Sequence, residues 1–246
     1  MTDFRNQRRR EGVSARTVNL DLVAFNNAMA YALEKAWLSV TPRLEKLKER
    51  EPPKRTLLTA GDIKRLLKAC VPKVTKNAQA LKFYIRFLVL TGAREQEALK
   101  VRWQDVDLWN QQLTIGADAD TKNSRYRVVN FSAELKSLVH EMADKGPPDS
   151  SFLFPSPQRG ERDIHAKSLR ESFTLVRVAA GLSWAGFHDL RRFFVSQCVI
   201  GGLNFMTVAS WLGHSDGGVL VGKVYGHLAD AHKARMAEGL PLLNKS

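Results

Sequence analysis

"LVLTGAREQEAL" (residues 88–99) joins two features that seldom sit side by side. An apolar helical run reaches Thr91 and Gly92, a glycine suited to closing a helix, and the chain then presents Arg94. A guanidinium set directly after an inward-packing segment is costly unless an anion meets it. Glu97 stands three residues on, so it shares a face with Arg94 on the short helix predicted from Arg94 to Val101. Taken alone, the pair reads as a surface ion pair.

Outward from this stretch, the spacing of apolar residues predicts a mostly helical chain. Residues 78–91 form a buried helix through Leu81, Tyr84, Ile85 and Leu88. Upstream, Thr59 caps a helix over 59–70 with Ile63, Leu66 and Leu67 inward, and Ser14 caps one over 14–37 with Val18, Leu22, Phe25, Met29, Ala32 and Leu33. Residues 1–11, with "RNQRRREG", read as loose, and a shorter charged helix is expected through Lys48. "EREPPKRT" (49–56) cannot continue a helix and reads as an extended linker. Downstream, "QLTIG" (112–116) and "YRVVNF" (126–131) alternate as strands around the loop "DADTKNSR" (118–125). Further helices are expected over 133–143, 167–179, 188–200, 204–212 and 228–237. The expected class is α+β, mainly α with a small antiparallel β-sheet.

The chain has 246 residues, 44% of them hydrophobic, and a formal net charge of +13. That excess favours a polyanion, nucleic acid before membrane, because the basic residues are spread along the chain and not gathered on one amphipathic helix. No stretch resembles a signal peptide or a membrane span. Two lone cysteines, Cys70 and Cys198, make neither a disulfide framework nor a zinc site, which fits a reducing cytoplasmic compartment.

Four further groups carry chemistry. "FHDLRRFF" puts His188 and Arg191 three apart on one helix face, with Leu190, Phe193 and Phe194 turned to the core. "ASWLGHSD" sets His214 just past a helix closed by Gly213 and buried through Met206, Val208, Trp211 and Leu212. "VGKVYGHL" carries Tyr225. Lys122 lies in the turn between the two strands, where the acidic residues lack the glycine and the bidentate glutamate of a calcium loop. Singly, each has an ordinary structural reading: a cap, a helix-dipole partner, a packed ring, a solvated lysine.

Their order is more specific than any member. Arginine, hairpin lysine, His-x-x-Arg, Leu-Gly-His and tyrosine together resemble the tyrosine recombinase, or phage integrase, family over about residues 14–235. "LTAGDIKRLL" resembles the entry to that family's catalytic domain. "TGAREQEALKVRWQDVD" resembles its first arginine box, and "HDLRRFF" with "WLGHSD" its second. The resemblance implies a partial helical core-binding segment over 1–51, a linker over 52–58, and a catalytic domain with a C-terminal tail over 59–246.

It also implies a reaction. Arg94 and Arg191 grip the non-bridging oxygens of a DNA phosphodiester. Tyr225 attacks phosphorus to form a 3′-phosphotyrosyl link, and Lys122 protonates the departing 5′ oxygen. His188 acts as base or donor, His214 orients the phosphate, and Glu97 supports the pocket without touching the phosphate. Metal and nucleotide cofactors are not expected, since the cations do the work of magnesium and no GxxxxGK loop is present. Partners implied are double-stranded DNA and further copies of the chain, a tetramer on DNA and a monomer when free. A type IB topoisomerase and an inactive DNA-binding relative are the alternatives. The 21 residues after Tyr225, with Leu240, Leu242 and Leu243, favour a recombinase tail. "SDGGVLVGKV" (215–224) is long and glycine-rich for the family, and the eleven steps from His214 to Tyr225 reach at most about 36 Å when extended.

Overall fold

The computed structural model describes residues 2–41, 44–49, 56–117, 126–146, 149–156 and 163–229. Lys122 and the tail from 230 onward, including most of the helix expected over 228–237, lie outside these residues. The chain divides into two compact units, Met1–Thr56 and Leu57–Ser246.

The first unit carries α1 (Thr2–Arg10) and α2 (Ala15–Glu34). The expectation of a loose start is corrected by α1. Its basic residues gather in its last turn, where they face the negative helix end, and Arg8 binds both Glu11 (2.8 Å) and Asp21 of α2 (3.1 Å). Ser14 caps α2 by accepting from the Thr17 N–H. No charged helix occurs over 44–49, which are irregular. Asn19 is the reason. Its amide donates to the Leu47 carbonyl (2.9 Å) and to Glu49 (2.8 Å), and its oxygen accepts from the Leu47 N–H (2.7 Å), which diverts that backbone from helical bonding. Val18, Asn19 and Leu22 are the buried face of α2, while Phe25 and Leu33 are exposed.

The second unit opens with α3 (Ala60–Ala69), held by a reciprocal cap between Thr59 and Asp62. The central helix α4 (Ala78–Thr91) buries Leu81, Tyr84, Ile85, Phe87 and Leu88. Gly92 ends it at φ 63°, and any Cβ there would strike the Phe194 ring, so both the turn and the packing need glycine. After α5 (Glu95–Leu99), strands β1 (Val106–Asp107), β2 (Gln112–Ile115) and β3 (Arg127–Asn130) form an antiparallel sheet in that order. Leu113 pairs with Val129 and Ile115 with Arg127, and all four face inward. β1, two residues long, carries too little alternation to be read from sequence.

There follow α6 (Ala133–Lys145), α7 (Arg170–Ala179), α8 (Phe187–Ile200), α9 (Phe205–Leu212) and α10 (Val219–Tyr225). α4 packs against α5, α6, α7 and α8. Tyr84 meets Phe154 and Phe187 edge-on, and Phe173 stacks on Phe187 at 4.3 Å, binding α4, α7 and α8 into one aromatic core. A second cluster, built on Phe194, Val195, Cys198, Val199, Val208, Ala209, Leu212 and Val221, carries α9 and α10 on the far end of α8. Burying each Leu or Phe of these cores contributes about 1.5–3 kcal/mol. Met206, expected to face inward on α9, is exposed. The segment between His214 and Tyr225 is largely helical, so it spans much less than its extended limit. Among the described residues no helix is long and apolar enough to cross a membrane.

Candidate functional site

The polar site forms where α4, α8 and α9 end or begin. Arg94 occupies the N-cap position of α5 with extended backbone (φ −72°, ψ 149°), so its side chain leaves the helix start. The Glu97 carboxylate turns back on it. Oε1 accepts from Arg94 Nη1 at 2.8 Å and Oε2 from the Arg94 backbone N–H at 3.1 Å. Oε2 also accepts from Arg127 Nη2 at 2.6 Å. Burial alone would raise the Glu97 pKa, but the bonds and charges of Arg127 and Arg94 override it and hold it at about 2. Glu97 is therefore a fixed anion at any physiological pH.

Arg191 comes from the second turn of α8 and is 6% exposed. Its Nη1 donates to the Gly92 carbonyl (2.6 Å) and its Nη2 to the Leu212 carbonyl (2.9 Å), groups at the C-terminal ends of α4 and α9. One side chain thus ties the turn before Arg94 to the turn before His214. Burial, and then the charges of Arg94 and Arg127, push Arg191 down to about 10. Three guanidiniums face one carboxylate, so the site carries uncompensated positive charge and an entering anion would relieve it.

His214 follows Gly213, the left-handed C-cap of α9 (φ 68°). Its Nε2 lies 3.2 Å from Arg191 Nη2. Burial and the Arg191 charge lower its pKa. His188 is exposed in the first turn of α8, one turn before Arg191. Tyr225 ends α10, half-buried against the second cluster. Burial raises its pKa, the charges of Arg192 and Arg191 lower it, and Asp189 raises it. The fold therefore brings together two bonded pairs, Arg94 with Glu97 and Arg191 with His214, tied by the bonds of Arg191 to the Gly92 and Leu212 carbonyls, and sets Tyr225 within the field of Arg191.

Two contributors escaped the sequence reading. Arg127 is 5% exposed and links Glu97 to the Trp211 carbonyl. The signal was available: in "YRVVNF" a charged residue occupies an inward position of an alternating strand. Asp216 is the other. Its Oδ2 accepts from the Leu220 N–H (2.8 Å) and its Oδ1 from the Gly218 N–H (3.1 Å), which starts α10. Among the described residues no group of three or more His, Cys, Asp or Glu is placed to hold a metal ion.

A family model described as the phage integrase family matches residues 56–232. The tyrosine recombinase XerA of Saccharolobus solfataricus is 30% identical over 191 residues, covering 78% of this chain and 57% of its own length. The chain thus spans little more than half of that relative. Among solved structures, the Tn1549 transposon integrase in complex with transposon right end DNA superposes with a TM-score of 0.73 at 17% identity, over 96% of this chain and 84% of that one. The catalytic domain of bacteriophage HP1 integrase gives 0.54 at 24% identity, over 77% and 98%.

Proposed function

Because the chain belongs to the phage integrase family, we propose that it is a site-specific DNA recombinase that cuts and rejoins double-stranded DNA through a 3′-phosphotyrosyl intermediate. The observation that carries this reading is the convergence of two bonded pairs from remote stretches, Arg94 with Glu97 and Arg191 with His214, tied by the bonds of Arg191 to the Gly92 and Leu212 carbonyls, with Tyr225 in the field of Arg191. The named relatives are recombinases and integrases, which favours this reading over a topoisomerase.

Arg94, half-exposed, and Arg191, fixed by two carbonyls, bind the non-bridging oxygens of the scissile phosphate. Because both are held before DNA arrives, little reorganisation is needed as negative charge builds on the pentacovalent phosphorus. Tyr225 Oη attacks phosphorus, its proton passing to His188 or to water, and the bond from phosphorus to the 5′ oxygen breaks. Lys122 protonates that oxygen. A 5′ hydroxyl of the exchanged strand then attacks the phosphotyrosine and releases Tyr225, so one phosphodiester is restored for each one broken. His214 donates to the phosphate, and Glu97 orients Arg94.

On this reading residues 1–51 contact DNA as a core-binding segment, residues 52–58 link it to the catalytic domain over 59–246, and four copies assemble on DNA. The test is a nicked suicide substrate carrying candidate sites from DNA flanking the gene. A covalent adduct mapped to Tyr225 is expected. No adduct at Tyr225 with any flanking site, or relaxation of plasmids without regard to site, would overturn the proposal.

A further inference from the structure

The third guanidinium of the site has no role in the reaction described above. Arg127 leaves β3 on the inward face and is almost fully buried. Its Nη2 donates to Glu97 Oε2 at 2.6 Å, the carboxylate that orients Arg94. Its Nε donates to the Trp211 carbonyl at 2.6 Å. That carbonyl and the next one, Leu212, belong to the last turn of α9, whose C-terminal carbonyls have no partner within the helix. Arg127 takes the first and Arg191 the second. The stem of Arg127 also lies against the following turn. A Cβ on Gly213 would stand 3.3 Å from Arg127 Cδ and 3.4 Å from its Nη1. Gly213 is the residue before His214.

We propose that Arg127 is a positioning residue for the recombination site: through Glu97 it aims Arg94, and through the Trp211 carbonyl it sets the turn that presents His214. The proposal rests on the recombinase reading. Arg127 touches no reacting atom in it. A guanidinium suits the task because its planar fork serves two acceptors in fixed directions, which the point charge of a lysine cannot do. The position makes one strand residue answerable for both boxes that hold the phosphate.

Arg127→Met and Arg127→Lys separate this role from simple packing. Melting curves establish that each variant is folded, and two quantities are then read on the suicide substrate: DNA affinity, and the rate of covalent adduct formation at saturating DNA. Misplacing a gripping group by about 1 Å costs on the order of 100-fold in rate. Arg127→Met is expected to show about that loss, and Arg127→Lys about 10-fold, with DNA affinity within about 3-fold of wild type since the phosphate-tracking surface is untouched. Should Arg127→Met not fold, Arg127→Lys carries the test.

A second readout depends on Glu97. Arg94, Arg127 and Arg191 are the cations acting on its carboxylate, with His214 beyond them. Without Arg127, the largest influence lowering the pKa of the buried Glu97 is gone, so the pKa rises and Glu97 releases Arg94 at a higher pH than in wild type. The Arg127→Met rate then falls off at a higher pH than the wild-type rate does. That difference disappears in the double variant with Glu97→Gln, whereas any titration of His214 is common to every background. A folded variant that cleaves within about 3-fold of wild type, or a difference in pH profile from wild type that survives Glu97→Gln, would overturn the proposal. Failure of wild type itself to form an adduct would instead overturn the recombinase reading.

Discussion

Arg191 Nη2 stands 3.2 Å from His214 Nε2. A guanidinium has only protons to give, so Nε2 is the acceptor and the neutral ring carries its proton on Nδ1. Nδ1 is buried and has no hydrogen-bond partner among the described residues. In this arrangement the imidazole presents a lone pair to the arginine and no proton to a phosphate on that side. Its donor face becomes available only when the ring turns or takes up a second proton.

That arrangement fixes a pH dependence. Burial and the Arg191 charge hold the His214 pKa below its ordinary value near 6.5. The unfolded chain therefore binds more protons than the native one as pH drops below about 6.5, and stability falls with pH in that window. His214→Gln should flatten this part of the stability curve, measured by urea melts between pH 5 and 7. Glu97 acts lower on the scale, because its native pKa near 2 lies beneath the ordinary carboxylate value. Its contribution is complete above about pH 4.5 and is lost as pH falls toward 2. An unchanged slope between pH 5 and 7 in His214→Gln would contradict the assignment of the neutral ring.

Tyr225→Phe should fold, bind DNA as wild type does, and form no covalent adduct. The hydroxyl is protonated at neutral pH, since burial raises its pKa against the opposing pull of Arg192 and Arg191. Competing tyrosines are poorly placed by contrast. Tyr84 is fully buried and donates its hydroxyl to the Glu95 carbonyl at 2.6 Å, while Tyr126 is exposed at the foot of the hairpin. Peptide mapping of the wild-type adduct to either of them would refute the assignment.

Lys122→Ala tests the general acid. The variant should cleave ordinary DNA on the order of 100 to 10,000-fold more slowly, the usual contribution of a positioned acid. A substrate with sulfur at the 5′ bridging position carries a better leaving group and should restore the rate of the variant while helping wild type little. Equal help to both would remove Lys122 from that role.

The sequence was legible where a pattern extended over several turns or joined several residues. α4, α6 and α8 declare themselves by apolar spacing, and the boxes by the order of their polar residues. It was less legible where one tertiary bond outweighs local preference. Asn19 holds residues 44–49 out of the charged helix their composition suggested. Arg8 joins a basic run to α2. Arg127 lay within a recognised strand, yet its importance depends on Glu97 and Trp211, distant in sequence and adjacent only in the fold. The glycines of 217 and 218 marked an unusual connection without giving its shape; they make the turn that starts a helix.

That turn supports the last prediction. Gly217 and Gly218 lie at φ 63° and 95°, conformations that favour glycine. A Cβ on Gly218 would stand 2.7 Å from the backbone carbon and oxygen of Phe205, so the close approach of this turn to α9 also requires it. Asp216 meets the Gly218 and Leu220 N–H groups, and these bonds keep its carboxylate below the usual range. The start of α10 is thereby set against α9, and its end carries Tyr225. Asp216→Ala should loosen the start of α10, because the Gly218 and Leu220 N–H groups lose their acceptor. Gly218→Ala should loosen it more, because positive φ and the clash act together. Both should slow adduct formation while sparing DNA binding, because Arg94 and Arg191 do not depend on α10. Hydrogen exchange over residues 219–225 should quicken in step with the loss of rate. Normal cleavage by a variant whose α10 amides exchange freely would mean that Tyr225 finds its place without this cap.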